Sequence, residues 1–272
     1  VTVIAMRPGP VTGLPTRTEQ GDLDLAIFAG NGEYPKMVLA VKNQSDAFYQ
    51  TGRAHHIAQK YQIPVVLLTD QYLSDGTATV EPLDLSRIEK VRVSASDEEA
   101  LAYRDDPENQ RGEEMFGEMK ESELAADEYK RYRITEDGIS PRLLPGHPKA
   151  FINADTDSHD EYGFINEAAD VHTAQMDKRL RKLDKLIAED LTDAEQIGTA
   201  GSDILLVAWG SMHGPLKEAI DDLAEEGVKV SALVYGDLWP FPTEKIKAEA
   251  KNAAHIINIE QNFSGQLAGL NS

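Results

Sequence analysis

Cysteine is absent from the 272 residues. The chain therefore forms no disulfide and holds no iron–sulfur cluster through thiolates of its own, so any such cluster working with it must sit on another polypeptide. No apolar run approaches the ~20 residues that a membrane helix needs, and no secretory signal pattern is present, which reads as a cytoplasmic protein with no membrane contact. A basic stripe is missing too. Against 47 Asp and Glu stand 27 Lys and Arg, a net charge of −20, and nucleic acid, which is bound through clustered cations, is not an expected partner. Neither the phosphate cradle G-x-x-x-x-G-K-S/T nor the nucleophile elbow G-x-S-x-G occurs.

The charge is unevenly spread. Ser96 to Asp137 carries 15 acidic and 6 basic residues, net −9, whereas Val1 to Ala95 carries 10 and 9. The acidic stretch suits a solvated surface, or a surface that docks a basic partner.

The densest signal lies near the start. The apolar run Val1–Met6 reads as a strand, and Arg7-Pro8-Gly9-Pro10-Val11-Thr12-Gly13-Leu14-Pro15-Thr16 follows it directly. Open α/β sheets bind ligands outside the carboxyl ends of their strands, and an arginine there offers a planar fork of donors to an anionic small molecule. Gly9 and Gly13 permit close backbone approach, and the hydroxyls of Thr12 and Thr16 either face the ligand or cap the turn. Asn31, between Gly30 and Gly32, either presents its amide at the same edge or takes a left-handed turn conformation.

Leu25–Phe28 and Met37–Val41 read as strands, Asp46 to about Tyr61 as a helix capped by Ser45, and Val65–Leu68 after Pro64 as a buried parallel strand. From about Asp75 to Gly198 the periodicity fades, except for a helix from Asp170 to about Asp190. Its stripe of Met176, Leu180, Leu183, Leu186 and Ile187 is expected to pack on its own domain, while the long stretch before it is expected to wrap a neighbouring domain or subunit. A second α/β unit begins at Asp203: strand Ile204–Trp209, turn Gly210–Gly214, helix Pro215–Glu226 with proline first, strand Val228–Tyr235, helix Thr243–Asn252 and strand His255–Ile259. Val1 is not an initiator methionine and the last residues read as the opening turn of a helix, so a partial chain is expected.

The Arg7–Leu23 segment resembles the R-x-G-P-S-T-G-x-P-T-x-T-E-Q-x-D-L signature of the α subunit of 2-oxoacid:ferredoxin oxidoreductases, notably the 2-oxoglutarate type. Val11 replaces the usual Ser, and Met6 stands where Gln is common. Further resemblance follows in Ala29–Pro35, Pro64–Leu73, Tyr132–Pro141, Asp157–Gly163 and Glu260–Leu267, in the family's order. It implies an α/β fold: residues 1–95 as the C-terminal half of a thiamine-diphosphate pyrimidine-binding domain, 96–198 as an acidic connecting region with one helix, and 199–272 as a truncated, doubly wound domain similar to the C-terminal domain of transketolase.

The same resemblance implies coenzyme A-dependent oxidative decarboxylation of 2-oxoglutarate to succinyl-CoA, with electrons passed to ferredoxin. Arg7 would bind the 2-oxoacid carboxylate, with Thr12, Gly13, Thr16 and Asn31 as further substrate contacts. A partner β subunit would hold the diphosphate with Mg²⁺ and a 4Fe-4S cluster, and the glutamate that activates thiamine would lie upstream of Val1. Alternatives are pyruvate or a branched-chain 2-oxoacid as substrate, a transketolase- or dehydrogenase-type thiamine enzyme, and a non-catalytic scaffold subunit. Asp155–Glu161 lacks the spacing of a calcium loop, no metal site is expected on this chain, and His213 reads as a turn residue.

Overall fold

The computed structural model describes residues 19–88, 129–143 and 152–270, with the backbone alone for 2–6. Two compact units emerge, one made of Val1–Lys90 with Leu186–Ser272 and the other of Val91–Lys185.

The first unit opens with β1 (Thr2–Met6), α1 (Leu23–Phe28), β2 (Met37–Ala40), α2 (Gln44–Tyr61), β3 (Pro64–Leu68) and α3 (Gln71–Asp75). Strand β3 lies between β1 and β2 and is parallel to both; its Leu68 is opposite Met6 on one side and Ala40 on the other. The carboxyl ends of all three strands therefore meet at one edge.

Leu25–Phe28 is helical, contrary to the strand expected from its four apolar residues. Leu23, Ala26 and Ile27 are the buried positions, an i, i+3, i+4 face that emerges only when Leu23 is counted with the run. The end of α1 is closed by Lys36, a buried lysine whose Nζ donates to the carbonyls of Ile27 at 2.7 Å and Ala29 at 2.8 Å. Its ammonium meets the partial negative charge of the helix carboxyl end, and the Tyr34 ring covers it at 4.7 Å. Helix α2 is capped by Asn43 rather than Ser45, the Asn43 side chain accepting from the Asp46 N–H at 2.9 Å.

Beyond α4 (Ala169–Glu189) come β4 (Glu195–Gly198), β5 (Ile204–Trp209), α5 (His213–Glu225), β6 (Val230–Tyr235), β7 (Asp237–Trp239), α6 (Glu244–Glu249), β8 (His255–Ile259) and α7 (Gln266–Leu270). Strands β6, β5 and β8 are parallel neighbours, with β4 antiparallel at the β6 edge. Pro215 is the third residue of α5 rather than the first, because a 3₁₀ turn over Gly210–Met212 leads into the helix.

Strand β7 joins the other sheet. It pairs antiparallel with β2, Val38 opposite Trp239 and Leu39 opposite Asp237, so the C-terminal segment contributes a strand to the N-terminal sheet. One core follows from this: Val38, Leu68, Val207, Trp209, Leu233 and Tyr235 form a single buried cluster with Leu23 and Ile27. Asp237 anchors the crossing. Both of its carboxylate oxygens take hydrogen bonds from Arg53 of α2, at 2.5 and 2.7 Å. On its other face the C-terminal sheet packs Ala232, Val234 and Ala208 against Leu216 and Ile220 of α5.

The apolar stripe expected along α4 is only partly buried: Leu186 is fully buried and Met176 and Leu183 are half-buried, while Leu180 is 41% exposed, and within the second unit Gln175, Lys178 and Lys182 are buried as well. The reason is the loop 130–137, whose carbonyls need donors: Lys178 Nζ and Gln175 Nε2 donate to the Tyr132 carbonyl at 2.8 and 3.2 Å, Arg181 donates to the Thr135 carbonyl at 3.1 Å, and Lys185 pairs with Asp137 at 2.8 Å. Gly138, at φ +76°, lets the loop touch the helix, since a Cβ there would come 2.2 Å from the Lys178 carbonyl. The Asp155–Glu161 loop is held by its own backbone. Asp160 Oδ1 accepts the N–H groups of Tyr162, Gly163 and Phe164, and Asp155 accepts those of Thr156 and Ile165.

Candidate functional site at the carboxyl edge of the parallel strands

Arg7, Thr12, Gly13 and Thr16 lie outside the described residues, as does most of the acidic stretch. Their place in the chain is nonetheless bounded. Met6, just before Arg7, pairs with Leu68 at the carboxyl edge of the sheet, and Gln20, four residues past Thr16, is fully buried.

Gln20 is held on every side. Its N–H donates to the Gln261 carbonyl at 2.8 Å, its Oε1 accepts from the Gln261 N–H at 3.2 Å, its Nε2 donates to the Trp209 carbonyl at 3.2 Å, and its own carbonyl accepts from Asn262 Nδ2 at 3.3 Å. The trailing end of the Arg7 segment is thus fixed to the carboxyl ends of β5 and β8. Asn31, by contrast, sits in an exposed loop that feeds the amino end of β2, whereas Arg7 leaves the carboxyl end of β1. The positive φ angles of that loop belong to Gly30 and Gly32, at +138° and +75°, and not to Asn31.

Where β2 and β3 end, Val41, Asn43 and Ala47 face Leu67, Thr69 and Leu73 across a cavity of about 250 Å³. Its walls are mostly apolar, with amide and hydroxyl groups at the rim. Asp70 stands beside it, buried, capping α3 through the Leu73 N–H at 2.9 Å and accepting the Ser211 hydroxyl on its other oxygen. Gly210 allows that junction. At φ +58° it occupies the left-handed region, and a Cβ would lie 3.3 Å from Gln20 Nε2 and 3.5 Å from the Val41 carbonyl.

A second group of charges stands at the same edge. Glu195 of β4 joins Lys42 Nζ at 2.5 Å and His213 Nε2 at 3.1 Å. Burial works to raise the Glu195 carboxyl, but the hydrogen bonds from Lys42 and His213 prevail and hold it below the ordinary range. Asp46, which accepts the Lys42 N–H at 2.9 Å, is raised instead, chiefly by burial. His213 is the first residue of α5, directly after the 3₁₀ turn.

Sequence reasoning missed Gln20, Lys42, Asp70, Glu195 and Ser211 as members of this edge. A signal existed for three of them, since Lys42, Asp70 and Ser211 each come within two residues of the end of an apolar strand run. Gln20 lies within the quoted Arg7–Leu23 signature, and nothing local marked Glu195. Among the described residues no group of three or more His, Asp or Glu is placed to hold a metal ion, and no helix is long and apolar enough to cross a membrane.

An α/β fold whose parallel strands end together at one edge defines a class, and comparison with known proteins narrows it. Residues 1–178 match the family model described as pyruvate flavodoxin/ferredoxin oxidoreductase, thiamine diP-bdg, and residues 202–270 match pyruvate:ferredoxin oxidoreductase core domain II. The chain belongs to this pyruvate flavodoxin/ferredoxin oxidoreductase family. It is similar to 2-oxoacid:ferredoxin oxidoreductase 2, subunit alpha, of Aeropyrum pernix, with 34% identity across 99% of this chain and 38% of that protein. At 27% identity, 96% of the chain aligns with 36% of the 2-oxoglutarate oxidoreductase subunit KorA of Mycobacterium tuberculosis. Among solved structures, 2-oxoglutarate:ferredoxin oxidoreductase from Magnetococcus marinus, with 2-oxoglutarate, coenzyme A and succinyl-CoA bound, superposes with a TM-score of 0.80 at 32% identity, covering 98% of this chain and 42% of that one. The chain thus spans less than half the length of these relatives.

Proposed function

We propose that this chain is part of the α subunit of a thiamine-diphosphate-dependent 2-oxoacid:ferredoxin oxidoreductase and that its substrate is 2-oxoglutarate. The observation that carries the reading is the likeness, at 32% identity over nearly the whole chain, to the Magnetococcus marinus enzyme whose structure holds 2-oxoglutarate and succinyl-CoA. The reaction is oxidative decarboxylation: the C1–C2 bond breaks, CO₂ leaves, the acyl group passes to the thiol sulfur of coenzyme A, and the electrons go singly to ferredoxin.

Arg7 leaves the carboxyl end of β1 and binds the C1 carboxylate through a bidentate pair, which orients the bond to be broken. Gly13 lets the backbone approach the substrate, and Thr12 and Thr16 donate hydroxyl hydrogens to it. Asn31 is left out of this assignment, because its loop serves the amino end of β2. Thiamine diphosphate, when bound, supplies the electron sink for decarboxylation. The mainly apolar cavity between Val41, Ala47, Leu67 and Leu73, rimmed by Asn43 and Thr69, suits a flat heteroaromatic ring with polar edges, and those residues would hold its pyrimidine. Mg²⁺ and a 4Fe-4S cluster are assigned to a partner β subunit, because this chain has no cysteine and, among the described residues, Asp155 and Asp160 are engaged with backbone N–H groups. A cytoplasmic location follows from such partners.

The test is to purify the native complex and follow coenzyme A-dependent reduction of a viologen dye with a panel of 2-oxoacids. The reading expects the highest kcat/KM with 2-oxoglutarate. A preference for pyruvate overturns the substrate, and no turnover of any 2-oxoacid overturns the activity.

A further inference from the structure

We infer that Ser211 is a positioning residue for the thiamine ring: through Asp70 it fixes the α3 wall of the cavity where β2 and β3 end. The inference rests on reading that cavity as the site of the pyrimidine.

Asp70 holds the wall. Its Oδ1 accepts the Leu73 N–H at 2.9 Å, and its carbonyl accepts the Ser74 N–H at 3.0 Å and the Ser74 hydroxyl at 2.9 Å. Leu73 and Ser74 both line the cavity, as does Thr69, the residue before Asp70. Helix α3 has five residues, none of them buried, too few to hold a first turn by their own hydrogen bonds. Gln44 of α2 ties its far end, donating to the Gly76 carbonyl at 3.4 Å. At the near end the course of α3 follows the Asp70 side chain.

Ser211 in turn holds Asp70. Its hydroxyl donates to Asp70 Oδ2, and the two residues are only 4% and 3% exposed. The serine comes from a distant part of the same compact unit, on the 3₁₀ turn after β5 and 141 residues further along the chain. It lies in the stretch matched by core domain II, whereas Asp70 lies in the stretch matched by the thiamine diphosphate-binding model. Without the hydroxyl, Asp70 Oδ2 loses its donor in a place closed to bulk water, and the carboxylate turns to find another. That turn releases the Leu73 N–H and the wall with it. Affinity for a ligand of the cavity then falls with the fraction of molecules that keep the wall in place.

The test uses the complete complex freed of its cofactor, with Ser211→Ala, Asp70→Ala and Asp70→Asn. Amide hydrogen exchange is measured before any cofactor is added, and the dissociation constant of thiamine diphosphate with Mg²⁺ by calorimetric titration. Ser211→Ala should speed exchange at Leu73 and Ser74 by about tenfold while Met37–Ala40 keeps its wild-type rate. It should raise the dissociation constant by about tenfold as well, and saturating thiamine diphosphate should restore turnover, because excess ligand draws the population back. Asp70→Asn should recover most of what Asp70→Ala loses, since the amide oxygen still caps Leu73 and the amide nitrogen donates to the Ser211 hydroxyl oxygen. Wild-type exchange at Leu73 and Ser74 in Ser211→Ala overturns the proposal, as does a loss of turnover that saturating cofactor leaves in place. Asp70→Asn as impaired as Asp70→Ala also overturns it, because the charge and not the position of Asp70 would then matter. Faster exchange with wild-type cofactor affinity overturns instead the reading of the cavity as the ring site.

Discussion

Gln20 and Gln261 are joined twice, backbone N–H to carbonyl at 2.8 Å in one direction and backbone N–H to side-chain Oε1 at 3.2 Å in the other. This pairing binds the end of the proposed substrate loop to the segment after β8, and with the β7 crossing it makes the N- and C-terminal α/β segments one unit. The amide side chain is what allows it, since one end accepts from Gln261 while the other donates to Trp209.

Gln20→Ala should lower the stability of the first unit by about 2–3 kcal/mol, because it leaves the Trp209 carbonyl and the Gln261 N–H buried without their partner. For a protein of this size that corresponds to a fall in Tm of roughly 5–10 °C. Differential scanning calorimetry on the purified protein decides it. An unchanged Tm would mean that water replaces the glutamine at no cost.

Asp237→Ala should be more damaging, at about 3–5 kcal/mol, because it leaves the Arg53 guanidinium with the Asp190 carbonyl but no carboxylate and leaves the Thr192 N–H, which donates to the same carboxylate at 2.8 Å, without its partner. The exposed pair Lys247–Glu244 is the control, and Glu244→Ala should leave the urea midpoint unmoved. Equal midpoints for the two variants would remove Asp237 as the anchor of β7.

These two positions also show where reading the sequence succeeds and where it stops. The strands Thr2–Met6, Met37–Ala40, Pro64–Leu68, Ile204–Trp209 and His255–Ile259 are visible as apolar runs, and α2 as a periodic pattern, because each is specified by its own residues. Helix α1 was hidden by four consecutive apolar residues whose burial period begins two positions earlier. The inward face of α4 was hidden for a different reason. Lysines are buried there because a loop some forty residues upstream offers carbonyls to them, and no local pattern records that. The edge cluster of Lys42, Glu195 and His213 comes from three distant segments, so its chemistry depends on the β4–β6 and β2–β7 pairings. The proposed ligand loop was the reverse case, with Arg7 and its glycines marked by composition alone.

Stability of the second unit should depend on pH through the two buried lysines. Burial, then the positive charge of Lys182 and Arg131, pushes Lys178 down to about 7; burial, then Arg131 and Arg179, pushes Lys182 down to about 8. Both folded values lie below the unfolded value of about 10.5, so the unfolded chain binds more protons between about pH 7 and 10, and stability rises with pH through that window and is lowest below it. Lys178→Met should flatten the rise. Urea midpoints of wild type and variant across this range test it, and parallel curves would show that Lys178 does not titrate there.

The central claim is that Arg7 binds the carboxylate of a 2-oxoacid, and steady-state kinetics of Arg7→Ala in the complete complex tests it most directly. Losing one charge-assisted contact should cost about 2–4 kcal/mol of transition-state binding, a fall of roughly 10²-fold or more in kcat/KM for 2-oxoglutarate, with thiamine content and subunit assembly unchanged. Arg7→Lys should recover only part of the loss, because an ammonium cannot form the bidentate pair. Wild-type kcat/KM in Arg7→Ala would contradict the assignment.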